Sequence, residues 1–366
     1  MIKILAVLFS IIFALTGCSD SNGTSETAQA SGEGETGSSW RTEIPRIVPT
    51  SEAETEPETA ESSKEKAVSD ILILYTGDVD CSVNDGIGYA GVAAMKKELE
   101  KTNEYVVLAD CGDATRGAEI GEASEGLYII DIMNHLGYDL AVPGDRDFGY
   151  GMEALQKNVD QANFPYIACN LTYDGDGEDT LSNLSTYVIR EYGGVKAAFV
   201  GVTTPRVLEG DEAESFKEDG ECIYDMCAGD GSELYERIQE NVDAARDEGA
   251  DYVILVSHLG TEDEIYGADV VAAHTDGIDA ILDGGSRTAV SEQILENKSG
   301  DAVILSQTGE KLAVAGLLTI TAQGNISATV ISSYPEKDAL TQSMIDGLMV
   351  SGEEDAPEQA TSGGKS

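Results

Sequence analysis

Ile71-Leu72-Ile73-Leu74-Tyr75 is an uninterrupted apolar run that stops at Thr76-Gly77-Asp78. So short a run, closed by a turn residue, predicts a strand buried on both faces that feeds a loop. The pattern recurs. Residues 105–108 are apolar and lead into Asp110-Cys111-Gly112-Asp113, and residues 140–142 lead into Pro143-Gly144-Asp145. Between these strands lie segments of helical period: 91–101, with Val92, Met95 and Leu99 on one face, 127–136, with Gly137 placed as a stop, and 152–162. Strand–helix alternation of this kind predicts an α/β domain. The second half is richer in strands. It holds 166–168, a hairpin-like pair 187–190 and 196–202 around Gly193-Gly194, then 252–257, 280–282, 302–306 and 312–320, with a long amphipathic helix at 232–247. Acidic, Gly-rich loops recur at the carboxyl ends of strands, the edge at which open α/β sheets bind ligands.

The amino terminus reads as a processing signal. Lys3 precedes an apolar stretch, 4–15, too short to cross a bilayer as a mature helix. Leu15-Thr16-Gly17-Cys18 then predicts a lipoprotein signal peptide over 1–17, cleaved before a Cys18 that carries lipid. Residues 18–69 are Ser, Thr, Glu and Gly with few periodic apolar positions, the composition of a disordered acidic tether. One folded domain is expected over 70–347 and a disordered tail over 348–366. The expected location is a membrane surface outside the cytoplasm, reached through the lipid anchor.

A formal charge of −46 speaks against nucleic acid and anionic head groups as partners. No dinucleotide fingerprint or P-loop is present. An exterior location permits disulfides. Cys222 with Cys227 and Cys81 with Cys111 are the candidate pairs, leaving Cys169 alone; a reducing habitat would leave every thiol free.

Five further segments, in this order, carry a resemblance: Gly88-Tyr89-Ala90-Gly91, Met133-Asn134-His135-Leu136-Gly137-Tyr138-Asp139, Phe164-Pro165-Tyr166-Ile167-Ala168-Cys169-Asn170, Gly193-Gly194-Val195-Lys196 and Gly201-Val202-Thr203-Thr204. With the acidic loops between them, residues 71–332 resemble the catalytic domain of the bacterial 5′-nucleotidase family, within the calcineurin-like metallophosphoesterases. The resemblance implies a four-layer αββα sandwich, two facing mixed sheets flanked by helices. It also implies two divalent metals that hold a phosphate ester and activate a water, because the ester oxygens and the attacking hydroxide are all negative.

Carried over residue by residue, the resemblance keeps Asp78 as a ligand, Asp113 as the carboxylate bridging the metals, and His258 as a second-site ligand. Asp80 stands where the family has His, and Asp145 where it has Asn. Arg146 stands at the transition-state His, with Asp147 after it. Gly149 stands at the Asp that orients that His. Gly285 and Arg287 replace the last two His ligands and cannot bind a cation. The chain has three His, of which His135 and His274 are expected to be structural or exposed. The family's second domain, which clamps the nucleoside base, has no room after the last expected strand.

Asp78, Asp80, Asp113 and Asp145 together would repel one another unless compensated. The permanent charges of Arg146 and Arg287 suit them. An ion-pair network is therefore expected in place of a two-metal site, with room for one oxygen-preferring cation such as Ca²⁺, Mg²⁺ or Mn²⁺. Two functions follow: a degenerate phosphoesterase domain serving as a binding or scaffold module for a small phosphorylated ligand or a protein, or a metal-dependent phosphoesterase with an altered Asp-rich site.

Overall fold

The computed structural model describes residues 69–177, 179 and 181–355; the signal segment, Cys18, the tether up to residue 68 and residues 356–366 lie outside them. Two large sheets are built from β1 (Ile71–Thr76), β2 (Tyr105–Asp110), β3 (Leu140–Ala141), β4 (Tyr187–Tyr192), β5 (Val195–Thr203), β6 (Tyr252–His258), β7 (Ala280–Asp283), β8 (Ala289–Glu296), β9 (Ala302–Thr308), β10 (Ala315–Ile320) and β11 (Ile326–Ile331). The helices are α1 (Gly88–Glu100), α2 (Glu119–Ser124), α3 (Leu127–Leu136), α4 (Met152–Gln161), α5 (Ser232–Asp247), α6 (Ala268–His274) and α7 (Ala339–Asp355).

The first sheet runs β11-β10-β1-β2-β3 and the second β8-β9-β7-β6-β5-β4. Within the first, β1, β2 and β3 are parallel. Within the second, β5, β6, β7 and β9 are parallel. The remaining strands join antiparallel at the edges.

Period-two alternation explains the layers. Ile71, Ile73, Tyr75, Val107 and Ala109 of the first sheet share one core with Phe199, Ile254, Val256, Ala280 and Leu282 of the second. The residues between the latter, Val200, Val253 and Leu255, turn the other way and pack on Leu234, Ile238 and Val242 of α5 and Val271 of α6. On the outer side of the first sheet α1 packs against β2, with Val92, Met95 and Leu99 buried. Two facing mixed sheets thus lie between helical layers, the four-layer arrangement expected from the resemblance. Each fully buried aliphatic side chain contributes about 1.5–3 kcal/mol. The sheets are also pinned by a buried polar contact, Tyr75 donating to Ser306 Oγ at 2.6 Å.

Several expectations need correction. Residues 166–168 form no regular strand. Ile167 N–H reaches Ala141, Ala168 N–H reaches Ser185, and Cys169 N–H reaches Gly201, so successive groups serve different segments and stitch the two sheets together. β10 starts at Ala315, because Lys311 and Leu312 take positive φ of 54° and 51°. The edge strands β8 and β11 were not expected; β8 is largely solvent-facing and carries little alternation, whereas β11 alternates Ile326, Ala328 and Val330 with Ser327 and Thr329 and is half-buried. α7 runs to Asp355, past the domain end placed at 347. It begins where Asp338 Oδ1 accepts the Thr341 N–H (2.9 Å) and hydroxyl (2.8 Å) as a cap, and it packs on α2. The candidate disulfides are absent: Cys81, Cys111, Cys169, Cys222 and Cys227 are free thiols. Among the described residues no helix is long and apolar enough to cross a membrane.

Candidate metal centre

The loops that leave the parallel strands of both sheets converge. Asp78 and Asp80 follow β1, Asp113 follows β2, Asp145 to Asp147 follow β3, His258 ends β6, and 284–287 follow β7. Backbone bonds lace them together: Asp78 N–H to Gly112 O (2.9 Å), Asp80 N–H to Asp113 O (2.8 Å) and Gly260 N–H to Gly284 O (3.0 Å). Asp78, Asp80, Cys81, Asp113 and Arg287 all take positive φ, between 50° and 59°. Such backbone costs a non-glycine residue about 1–2 kcal/mol, and it persists only where surrounding bonds enforce it.

Asp147 enforces it at Asp113. It is buried, and its Oδ2 accepts the N–H groups of Asp113 (2.9 Å) and Gly144 (2.8 Å). Its Oδ1 accepts the N–H (2.9 Å) and hydroxyl (2.6 Å) of Thr115. The β2 and β3 loops are thus fastened to one carboxylate. Gly144 is required by close approach, since a Cβ there would sit 2.2 Å from Asp113 Oδ1.

Asp78, Asp113 and His258 are buried and bring ligand atoms within 4.8 Å of one another. His258 Nδ1 lies 2.7 Å from the Cys111 carbonyl. A carbonyl only accepts, so Nδ1 carries a proton. Nε2 then faces Asp145 Oδ1 at 3.1 Å and Asp113 Oδ2 at 3.6 Å. A neutral ring would turn a lone pair toward two carboxylates, so Nε2 holds either a proton or a cation. The electrostatics agree. Burial alone would lower the His258 pKa, but Asp113 and then Asp145 raise it well above the usual value. Burial also raises Asp113 and Asp78. For Asp145 burial acts upward, yet its bond to His258 leaves it lowered. The cluster has an excess of negative charge that takes up protons or metal. Asp78 Oδ2 accepts Gly285 N–H at 2.9 Å, while its buried Oδ1 has no hydrogen-bond partner. That orphaned oxygen, with Asp113, Asp145 and His258 Nε2, is a donor set that fits one divalent cation.

Two guanidiniums lie beside this group. Asp80, 3% exposed, accepts Arg146 Nη1 at 2.6 Å and Arg287 Nη1 at 2.8 Å. Arg287 Nη2 lies 3.3 Å from Asp80 Oδ1 and 3.5 Å from Asp113 Oδ2, and its Nη1 also meets Glu310 at 2.9 Å. The structure therefore brings Asp78, Asp80, Asp113, Asp145, Arg146, His258 and Arg287 into one cluster. Gly285 serves it through its backbone.

Sequence reasoning missed Glu310, the clamp made by Asp147, and Arg116. An ideal Cβ at Gly149 would lie 1.8 Å from Arg116 Nη1, so the Arg116 guanidinium occupies that residue's side-chain space. Arg116 is held there by Glu212 at 2.6 Å. Glu212 in turn lines a cavity of about 210 Å³ with Asp145, Thr204, Arg206, His258 and Gly285. Arg206 is already matched to Asp263 (2.5 Å) and Glu209 (2.8 Å). No spacing rule predicts such contacts, because their partners lie far apart in the chain.

Asp110, at the end of β2, is raised by burial to about 8, although Thr76 Oγ1 and Gly112 N–H donate to it. A carboxyl whose pKa is higher folded than unfolded stabilises fully below its unfolded value of 3.8, and the contribution is lost as pH rises through the folded value. Relative to Asp110→Asn, the wild type is expected to lose stability between about pH 5 and pH 8. Melting temperatures of the two that run parallel across this window would show Asp110 ionised at neutral pH.

No family model matches the chain. It is 25% identical over 247 residues to the trifunctional nucleotide phosphoesterase protein YfkN of Bacillus subtilis, covering 58% of this chain and 16% of the relative. It is also 25% identical over 287 residues to a 2′,3′-cyclic-nucleotide 2′-phosphodiesterase/3′-nucleotidase of Haemophilus influenzae, covering 69% and 42%. The chain thus spans less than half the length of these curated relatives. Among solved structures, a 5′-nucleotidase precursor from Thermus thermophilus superposes with a TM-score of 0.66 at 19% identity, covering 78% of this chain and 59% of that one. The calcineurin-like phosphoesterase YfkN from B. subtilis gives 0.63 at 20% identity, covering 78% and 98%. The fold is that of the metallophosphoesterases, and the relatives and structural neighbours are 5′-nucleotidase-type and calcineurin-like phosphoesterases.

Proposed function

We propose that this is a lipid-anchored surface protein whose phosphoesterase-type domain binds one divalent cation and has lost most of its hydrolytic capacity. The observation that carries the reading is the Arg146 guanidinium, tied to Asp80 at 2.6 Å where the resemblance implies a transition-state His. A guanidinium keeps its proton at neutral pH and cannot act as general acid or base. Asp80 raises the Arg146 pKa still further. Asp78, Asp113, Asp145 and His258 would hold the cation. When bound, it would offset their excess charge and polarise an oxygen ligand. A small phosphorylated ligand in the adjoining cavity, or a protein partner, is the proposed occupant.

The second reading, an active phosphoesterase with an altered site, is favoured by one specific observation: the Asp78–Asp113–His258 group is in place. Hydrolysis of nucleoside 5′-monophosphates, cyclic nucleotides and an aryl phosphate with Mn²⁺, Mg²⁺ or Ca²⁺ separates the two. Turnover is expected well below about one per second, the lower end for working enzymes; faster metal-dependent turnover establishes the second reading. The anchor is tested apart from the chemistry. Cys18→Ala is expected to move the protein from the membrane to the soluble fraction, and unchanged fractionation removes the lipid anchor from the proposal.

A further inference from the structure

We infer that Arg287, seated between Asp80 and Asp113 with Arg146 beside it, is a built-in substitute for a second metal ion, and that removing its side chain creates a second divalent-cation site. This rests on the metal-centre reading above and extends it to the residues that reading leaves unused.

Three features support the inference. The first is position. Arg287 Nη2 lies 3.3 Å from Asp80 Oδ1 and 3.5 Å from Asp113 Oδ2, so it stands between two buried carboxylates. A divalent cation shared by them would sit about 2.0–2.6 Å from each oxygen, in the volume that the guanidinium fills. Arginine and cation exclude each other there. The second is charge. Among the described residues the positive partners of Asp78, Asp80, Asp113, Asp145 and Glu310 are Arg146, Arg287 and, when protonated, His258. With a divalent cation in place of the His258 proton the two guanidiniums and the cation nearly balance these carboxylates, and without Arg287 the set is again short of positive charge. The third is backbone. Arg287 takes a positive φ of 54°, as do Asp78, Asp80 and Asp113 at 50°, 52° and 59°. This backbone goes with the convergence of Arg287 on Asp80 and Asp113, and Glu310 meets the outer side of Arg287.

The inference makes the cation count a property of one side chain. Manganese bound per chain can be counted by equilibrium dialysis and by its electron paramagnetic resonance signal, on the full-length protein in detergent. Arg287→Ala is expected to bind one more Mn²⁺ per chain than the wild type, while Arg287→Lys, which keeps a positive charge, is expected to bind the wild-type number. If Arg287→Ala does not fold without metal, Arg287→His is counted in its place; its ring offers a ligand, and the expected gain is the same. Adding Asp80→Asn to the alanine or histidine variant is expected to abolish the extra ion. Equal counts in the wild type and in the folded alanine or histidine variant overturn the inference. A wild type that binds no ion at all instead removes the single-cation reading of the previous subsection and leaves this difference to be read on its own.

Discussion

Asp147→Ala is expected to destabilise the domain by about 4 kcal/mol, because it strands several buried donors at once and each hydrogen bond to a charged group is worth about 1.5–3 kcal/mol. The donors are the N–H groups of Asp113, Gly144 and Thr115 and the Thr115 hydroxyl. For a domain of this size that is a drop of roughly 10 °C in melting temperature. Asp147→Asn keeps the shape but turns one N–H₂ toward other donors, so an intermediate loss is expected. Both variants are also expected to lose divalent-cation binding, since Asp113 and the Asp145 turn are held by this carboxylate. Thermal unfolding followed by circular dichroism reads the first effect and dialysis the second. A change of only a degree or two in Asp147→Ala would mean that the strained loops are held by something else.

The second large effect is an interaction energy. Arg287→Ala leaves Asp80, almost wholly buried, with Arg146 alone. Breaking a fully buried pair costs about 3–5 kcal/mol. Arg287 is 36% exposed, so solvent screening reduces the expected loss to about 2 kcal/mol. Asp80→Asn removes the charge that needs compensation. In that background Arg287→Ala should cost well under 1 kcal/mol, as for an exposed pair. Divalent cation should restore most of the single-variant loss: a ligand at a hundredfold excess over its Kd returns about 2.7 kcal/mol. Denaturant unfolding of the four proteins in the cycle, with and without Mn²⁺, supplies the numbers. Additive losses would show the arginine and the aspartate acting independently.

The parts legible in the sequence were those governed by local rules. The apolar run of β1, the 3.6-residue period of α5 and the Gly193-Gly194 hairpin each state their structure within a few residues. β8 was not legible because it is an exposed edge strand with little alternation, and α7 because it is placed by α2, far away in the chain. At the site the sequence brings out the residue types: Asp80 and Arg287 stand out as exchanges within a recognisable loop. It could not show that one carboxylate, Asp80, receives both guanidiniums, nor that Glu310 receives the outer side of Arg287. Those pairings are decided by how two sheets meet, and no spacing in the chain encodes them. Asp147 shows the same limit from the other side. As one more acid in an acidic loop it carries no signal, yet four hydrogen bonds end on it.

The filled space at Gly149 bears on which substitutions this loop accepts together. A side chain at 149 would meet the Arg116 guanidinium at 1.8 Å, so Arg116, the far end of a flexible and partly exposed side chain, would have to swing aside. Displacing Arg116 would also break its 2.6 Å pair with Glu212, which lines the cavity. Placing a His at 146 with a carboxylate at 149 therefore involves a third position, because Arg116 must leave Glu212 to make room. Positions 116, 149 and 212 are thus coupled through one guanidinium, and a substitution at any of them is felt at the cavity wall.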